Sequence, residues 1–431
     1  ISSAEGSEAR RDRAMSRRGQ IAIDRIVALR SSVLPIYILI RPDGSVTTAD
    51  EVSEDGNDFL TTRMSGDQIA FQSIGGDYLS AEGGKVSTRR YCSANERFTV
   101  EKQETQYAFR SRCGMYLSVS DRAPFVGLAP TAGDTEVFQL FSLMMCGVNV
   151  GQQLDLLDRT GQVVIDNLLD GDQLASMKAS LAQVDASSSR SGGHDLRIPG
   201  LAGRSAGFAE LATQPLVMQL ARRMLSPSLK LSEMESCRTD TDHVRKELET
   251  TTWHVVYPYS GAEFPGVVDP RINFTVLWFL DPLDAANSTW AYAKAPLAAG
   301  QCLPQLPHLS SPEELEAVAR TARPLMANPG SAWLTVGPWW MSNNVGAASF
   351  WKDYDAQTRY KHLSGQKEQS FRALTDAQRA AQTTDEFCPT VIQATYVREH
   401  VAARSPPPQR EALEGFGETG RQLASLLALA P

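Results

Sequence analysis

Nowhere in these 431 residues does an apolar run approach the roughly 20 residues that a membrane-spanning helix needs. The strongest apolar burst, VLPIYILI at residues 33–40, has the length of a strand. Positive charge is also short. With 42 lysines and arginines against 50 acids, the net charge of −8 argues against nucleic acid or an anionic membrane as the main partner. The six cysteines (Cys92, Cys113, Cys146, Cys237, Cys302 and Cys388) are scattered and lack CxxC spacing. They read as reduced and mostly buried, which points to a reducing compartment and away from a structural zinc site. There is no P-loop, no GxSxG nucleophile elbow and no glycine-rich dinucleotide fingerprint.

What is present suits a soluble chain with about two domains: 42% of residues are hydrophobic and 21% charged. The opening stretch, residues 1–19, is rich in Ser, Ala and Arg and has no apolar signal core. It is expected to be a disordered or extended tail. Its composition leans towards an organelle interior, plastid or mitochondrion, after N-terminal processing. Two glycosylation sequons, at Asn273 and Asn287, lie in or beside an expected core strand and read as chance matches.

Residues 20–145 repeat themselves. One lobe runs DQIAFQSIGGDYLSAEGGKV and closes with ERFTVEKQ; the next runs TQYAFRSRCGMYLSVSD and closes with TEVFQLFSL. A worn first lobe starts DRIVALRSS and closes with NDFLTTRM. Period-2 alternation predicts half-buried antiparallel strands, and Gly75, Gly76 and Gly114 stand where tight hairpins need positive φ. A unit of about 40 residues repeated three times cannot bury its apolar face alone and predicts threefold closure. The GxYLS element (Gly76, Gly114) and the closing ExF (Glu96, Glu136) resemble those of fascin-like β-trefoils. That resemblance implies a docking module for an unspecified partner.

The rest, residues 146–404, opens with GQVVIDNLLDGDQLASMKASL, a buried strand followed by a helix that Asp170 or Asp172 is placed to cap. A helix interrupted at Pro215 follows, with Leu216, Leu220 and Met224 at core spacing. A polar helical insertion is expected over residues 361–384, and a Pro-rich linker with a closing helix over residues 405–431. RINFTVLWFLDPLDAAN is an aromatic-rich strand closed by an acidic turn, and GSAWLTVGPWWMSNN is a second strand region. In this order the elements resemble the phytanoyl-CoA dioxygenase family of jelly-roll oxygenases. The expected fold class is therefore mainly β and multi-domain: an N-terminal β-trefoil plus a C-terminal double-stranded β-helix (jelly roll) with flanking helices.

The resemblance implies an Fe(II) site of two histidines and one carboxylate, and a basic residue that anchors 2-oxoglutarate. On this chain the His-x-Asp motif falls on His254 and Val256, the distal histidine on Met341, and the basic anchor near Thr390. Substitutes are conceivable in Asp269, His308, His362 and Arg359, but each requires a separate coincidence. The expected function is a non-catalytic interaction or structural subunit of a larger protein assembly, with no catalytic residues and no cofactor. Two alternatives stay open. One is an Fe(II)/2-oxoglutarate-dependent hydroxylase with non-standard ligands, acting on a small organic or lipid-derived acid; the other is a small-molecule-binding protein that uses the emptied barrel.

Overall fold

The computed structural model describes residues 23–123, 125–187, 195–239, 254–255, 271–283, 291–294, 323–337, 339–342, 390–399 and 410–427, together with 401 and 408. The chain divides into two compact units, Ile1–Asp155 and Leu156–Pro431. The helical insertion expected at 361–384 and the tail at 1–19 lie outside the described residues.

The first unit is built from twelve strands in three lobes. The first lobe holds β1 (Ile26–Ser31), β2 (Tyr37–Ile40), β3 (Val46–Ala49) and β4 (Leu60–Ser65). The second holds β5 (Gln68–Gln72), β6 (Tyr78–Glu82), β7 (Lys85–Arg89) and β8 (Phe98–Gln103). The third holds β9 (Gln106–Arg110), β10 (Tyr116–Val119), β11 (Val126–Ala129) and β12 (Val137–Ser142). Pairing runs β1–β4–β5–β8–β9–β12 and returns to β1, a closed six-stranded barrel without a free edge. The hairpins β2–β3, β6–β7 and β10–β11 touch one another across one end. This is the β-trefoil architecture.

The repeat can be read residue by residue in the core. Leu29, Phe71 and Phe109 hold one equivalent buried position, and Leu60, Phe98 and Phe138 another. Phe109 packs edge-on against Phe71 with centroids 4.9 Å apart, and Phe138 lies 5.8 Å from Phe109. The turn glycines Gly76 and Gly114 have φ of 91° and 84°; Gly75 does not adopt positive φ.

In the second and third lobes the closing glutamate is a clamp. Glu96 accepts from the Ser80 hydroxyl at 2.6 Å and from the N–H and hydroxyl of Ser93. Glu136 accepts from Ser118 at 2.6 Å, Thr135 at 2.7 Å and the Gly133 N–H at 2.8 Å. The first lobe has Leu39 in the serine position, and its Asp58 accepts from the Ser53 N–H. The wear visible in that lobe is therefore the loss of one hydrogen bond between hairpin and barrel.

After a short hairpin, β13 (Met144–Met145) and β14 (Val148–Asn149), helix α1 (Val150–Thr160) runs across the division between the units. In the second unit come β15 (Gln162–Ile165), α2 (Gly171–Ser187), β16 (Asp195–Pro199), α3 (Ala206–Ala212), α4 (Pro215–Met224) and β17 (Leu229–Thr239). They are followed by β18 (His254–Val255), β19 (Asn273–Phe279), β20 (Ala291–Lys294), β21 (Arg323–Pro324), β22 (Ala332–Val336), β23 (Trp339–Ser342) and β24 (Thr390–Arg398). Helices α5 (Arg410–Glu414) and α6 (Gly417–Leu426) close the chain. Asp170 caps α2, its carboxylate accepting from the Gln173 N–H while Gln173 accepts from the Asp170 N–H. Pro215 opens α4 at its first turn.

Counted from β17 to β24, the eight strands fall into two sheets. The larger runs β22–β19–β24–β17, flanked by β15 and β16; the smaller runs β18–β23–β20–β21. In chain order that is 6-3-8-1 facing 2-7-4-5, the two interleaved Greek keys of a jelly roll. Helices cover the outer face of the larger sheet, where the buried Tyr396 hydroxyl donates to the Ala212 carbonyl at 2.7 Å.

Of the four described cysteines, only Cys237 is buried. Cys113 and Cys146 are exposed and Cys92 is half-buried, because they sit in polar turns rather than strands; all four are free thiols. Asn273 is fully buried, so its sequon is sterically closed in the folded protein.

Burial by itself would raise the Glu96 and Glu136 carboxyls, but the hydrogen bonds outweigh it and hold both below the ordinary value of 4.5. A depressed carboxyl contributes stability above its unfolded pKa, and that contribution is lost as pH falls through the folded value. Ser80→Ala and Ser118→Ala should each cost roughly 1.5–3 kcal/mol at neutral pH by urea unfolding. The double variant Glu96→Gln/Glu136→Gln should lose less stability than the parent between about pH 5 and 3. Equal acid limbs in the two proteins would refute the clamp.

Candidate functional site

The sequence places its candidate site between the two sheets, on strands β18, β23 and β24. Register settles which positions share a face there. His254 pairs with Met341 across β18–β23, and Met341 pairs with Tyr292 across β23–β20. Cross-strand partners lie on one face of a sheet. The Met341 side chain is 1% exposed and packs with Trp333, Trp339, Leu277, Phe279, Cys237 and Val391, which belong to both sheets. That face is therefore the interior of the jelly roll. Met341 lies on it, and His254 is the backbone register partner of Met341 on the neighbouring strand.

Aromatic rings fill this part of the interior. Tyr292 lies 4.9 Å from Trp333 and 5.9 Å from Trp339, centroid to centroid, and the two indoles are 6.1 Å apart. Both indole N–H groups have partners: Trp333 donates to the Gln162 side chain at 2.8 Å, and Trp339 to the Val336 carbonyl at 3.3 Å. Buried rings with satisfied N–H groups make a packed core.

Thr390 opens β24. Its N–H donates to Asp281 at 3.0 Å, and the other Asp281 oxygen accepts from Lys178 at 2.7 Å. Asp281 thus ties the turn after β19 to the start of β24, with both oxygens committed. Val256, Asp269, Asp284, His308, His362 and Arg359 lie outside the described residues.

The larger sheet contributes an inner face that the linear sequence does not reveal. Cross-strand pairing aligns Thr335, Thr275, Thr395 and Glu233 in one row over four strands, and Trp333, Leu277, Gln393 and Glu235 in the next. Asn273 lies beyond the first row and uses its carbonyl oxygen to accept the Gly337 N–H at 3.1 Å. Glu233 accepts from Thr395 at 3.3 Å and from Gln393 at 3.4 Å. Thr335 is 1% exposed, and its hydroxyl has no hydrogen-bond partner among the described residues. The interior is thus apolar and aromatic at one end and rich in hydroxyl, amide and carboxylate groups at the other. The signal that could have found Glu233 and Glu235 is their i,i+2 spacing in LSEMESC, which puts both acids on one face of a strand.

These residues do not fit the iron centre that the family resemblance implies. A thioether in an apolar cluster replaces one imidazole, and the position two after His254 is a valine. Among the described residues no three His, Cys, Asp or Glu side chains converge on a metal position.

No protein-family model matches the sequence, and no curated protein matches it either. Among solved structures, the chain is similar to HygX from Streptomyces hygroscopicus with nickel and 2-oxoglutarate bound, at 12% identity over 61% of this chain and 90% of that one, TM-score 0.38. It is also similar to the non-heme alpha ketoglutarate dependent epimerase SnoN from nogalamycin biosynthesis, at 15% identity over 58% of this chain and 83% of that one, TM-score 0.38. The likeness is too distant to bear on the chemistry of this chain, and the jelly-roll assignment rests on strand order.

If Trp333 is core, Trp333→Ala should cost about 3–5 kcal/mol in urea unfolding. Gln162→Leu should cost about 1–3 kcal/mol by stranding the indole N–H. A Trp333→Ala protein as stable as its parent would show that the ring lines open space instead.

Proposed function

We propose that this protein is a non-catalytic subunit of a larger protein assembly. A degenerate jelly roll of the phytanoyl-CoA dioxygenase type serves as its scaffold, and a fascin-like trefoil as a second contact surface. The observation that carries this reading is Met341, a buried thioether packed against Trp333 and Trp339 in the row where an imidazole would meet iron. The reading implies no Fe(II) or 2-oxoglutarate requirement and other proteins as partners. No described helix is long and apolar enough to cross a membrane.

The test is anaerobic loading of the purified protein with Fe(II), followed by 2-oxoglutarate and oxygen. Sub-stoichiometric iron and no succinate above the protein-free control are expected; stoichiometric iron with steady succinate release would sink the proposal. Affinity purification from the native source should return fixed partners, and recovery of the chain alone would count against the assembly.

One observation favours a second reading, a small-molecule site in the polar half of the interior. The Thr335 hydroxyl is buried and has no partner among the described residues, and an unsatisfied buried hydroxyl costs about 1–3 kcal/mol. If a ligand accepts that bond, native mass spectrometry should detect a bound metabolite that Thr335→Val loses. If nothing binds there, Thr335→Val should be more stable than the parent by about 1 kcal/mol and carry no extra mass.

A further inference from the structure

A depression of 340 Å³ opens on the trefoil, lined by Gln68, Ser93, Ala94, Arg97, Thr99 and Arg112. Each of these residues is held there by the barrel. Phe98 and Val100 are buried in the core, so strand alternation turns Arg97 and Thr99 outwards, and Gln68 is the register partner of Thr99. The Ser93 end is pinned by Glu96, which accepts both the Ser93 N–H and its hydroxyl. Arg112 rides on the turn between β9 and β10, closed by the Ser111 N–H on the Met115 carbonyl at 2.7 Å and by Gly114 at φ 84°.

The charge in this depression is uncompensated. Among the described residues neither Arg97 nor Arg112 has an ion pair or hydrogen bond, and no acid lines the cavity. Four other arginines of the same unit are ion-paired: Arg25 with Asp155, Arg89 with Glu82, Arg90 with Asp77 and Arg110 with Glu101. On a chain of net charge −8, two free guanidiniums facing one concavity are not explained by a generally basic surface. Guanidinium forks match the geometry of an oxyanion, and the Gln68 amide and Thr99 hydroxyl add neutral donors. The volume lies at the small end of the ligand-site range, roughly 300–1,000 Å³.

We propose that this depression binds a small ligand through an oxyanion group, a phosphate, sulfate or carboxylate, held between Arg97 and Arg112. The site is independent of the jelly-roll interior and of whether that unit binds iron.

The full chain is titrated at low ionic strength with inorganic phosphate, sulfate, glycerol phosphate and acetate, with binding followed by calorimetry and by NMR shifts. Saturable binding of at least one of these anions is expected. Arg97→Gln or Arg112→Gln should weaken it about tenfold each, and the double variant should abolish it. Arg122→Gln, an exposed arginine outside the depression, should leave it unchanged. Tighter binding of glycerol phosphate than of inorganic phosphate would assign an ester, and the reverse order a free anion. The proposal is overturned if none of the four anions saturates, or if Arg122→Gln weakens binding as much as the two cavity variants do. Because all three side chains are exposed, thermal melts should match the parent, which separates lost binding from lost folding.

Discussion

Strand β19 is hydrogen-bonded along both edges, to β22 and β24, and buried on both faces. Almost everything in the second unit depends on that constraint. Side chains alternate with a period of two, so a slip of one residue would turn Phe274, Val276 and Trp278 into the interior and push Asn273 and Thr275 against the helices. The register that prevents this also puts Trp333 beside Leu277 and Gln393 beside Glu235. The division of the interior into an aromatic end and a polar end is a consequence of strand pairing.

Pairing in the smaller sheet fixes a second inner row. Met341 and Tyr292 are brought onto one inner face by pairing within the smaller sheet, where His254 is the register partner of Met341. With a thioether in the middle of the row, the neighbouring space goes to indole and phenol rings, whose burial contributes to stability through area and dispersion. Asp281 shapes the turn after β19 by holding Lys178 and the Thr390 N–H. The acidic turn after β19 is a structural tie.

The trefoil solves a different problem. Its barrel has no free edge, and two of its three lobes fasten hairpin to barrel through a buried glutamate that accepts three hydrogen bonds. The clamp at Glu96 also fixes the Ser93 end of the arginine-lined depression. The structural repeat and the proposed ligand site thus share a residue network, although neither arginine belongs to the repeat signature.

Local physics made much of this legible in advance. The three lobes, the strand at Asn273–Phe279, the Asp170 cap and the Pro215 interruption all follow from period, capping and backbone restriction, which act over a few residues. Mostly buried cysteines were a misreading, because composition says nothing about which turn a thiol occupies. The short strands β18, β20, β21 and β23 span two to four residues, too few to carry a period. What only the tertiary structure decided is the company each residue keeps. Glu233 meets Thr395 across 162 positions of sequence, and Trp333 meets Gln162 across 171. Such contacts arise from sheet order and register, and these are set when distant strands pair and close loops over the whole domain. The sequence by itself determined the longer strands; the pairing of strands decided which faces turn inwards and that they meet as a core and a polar row.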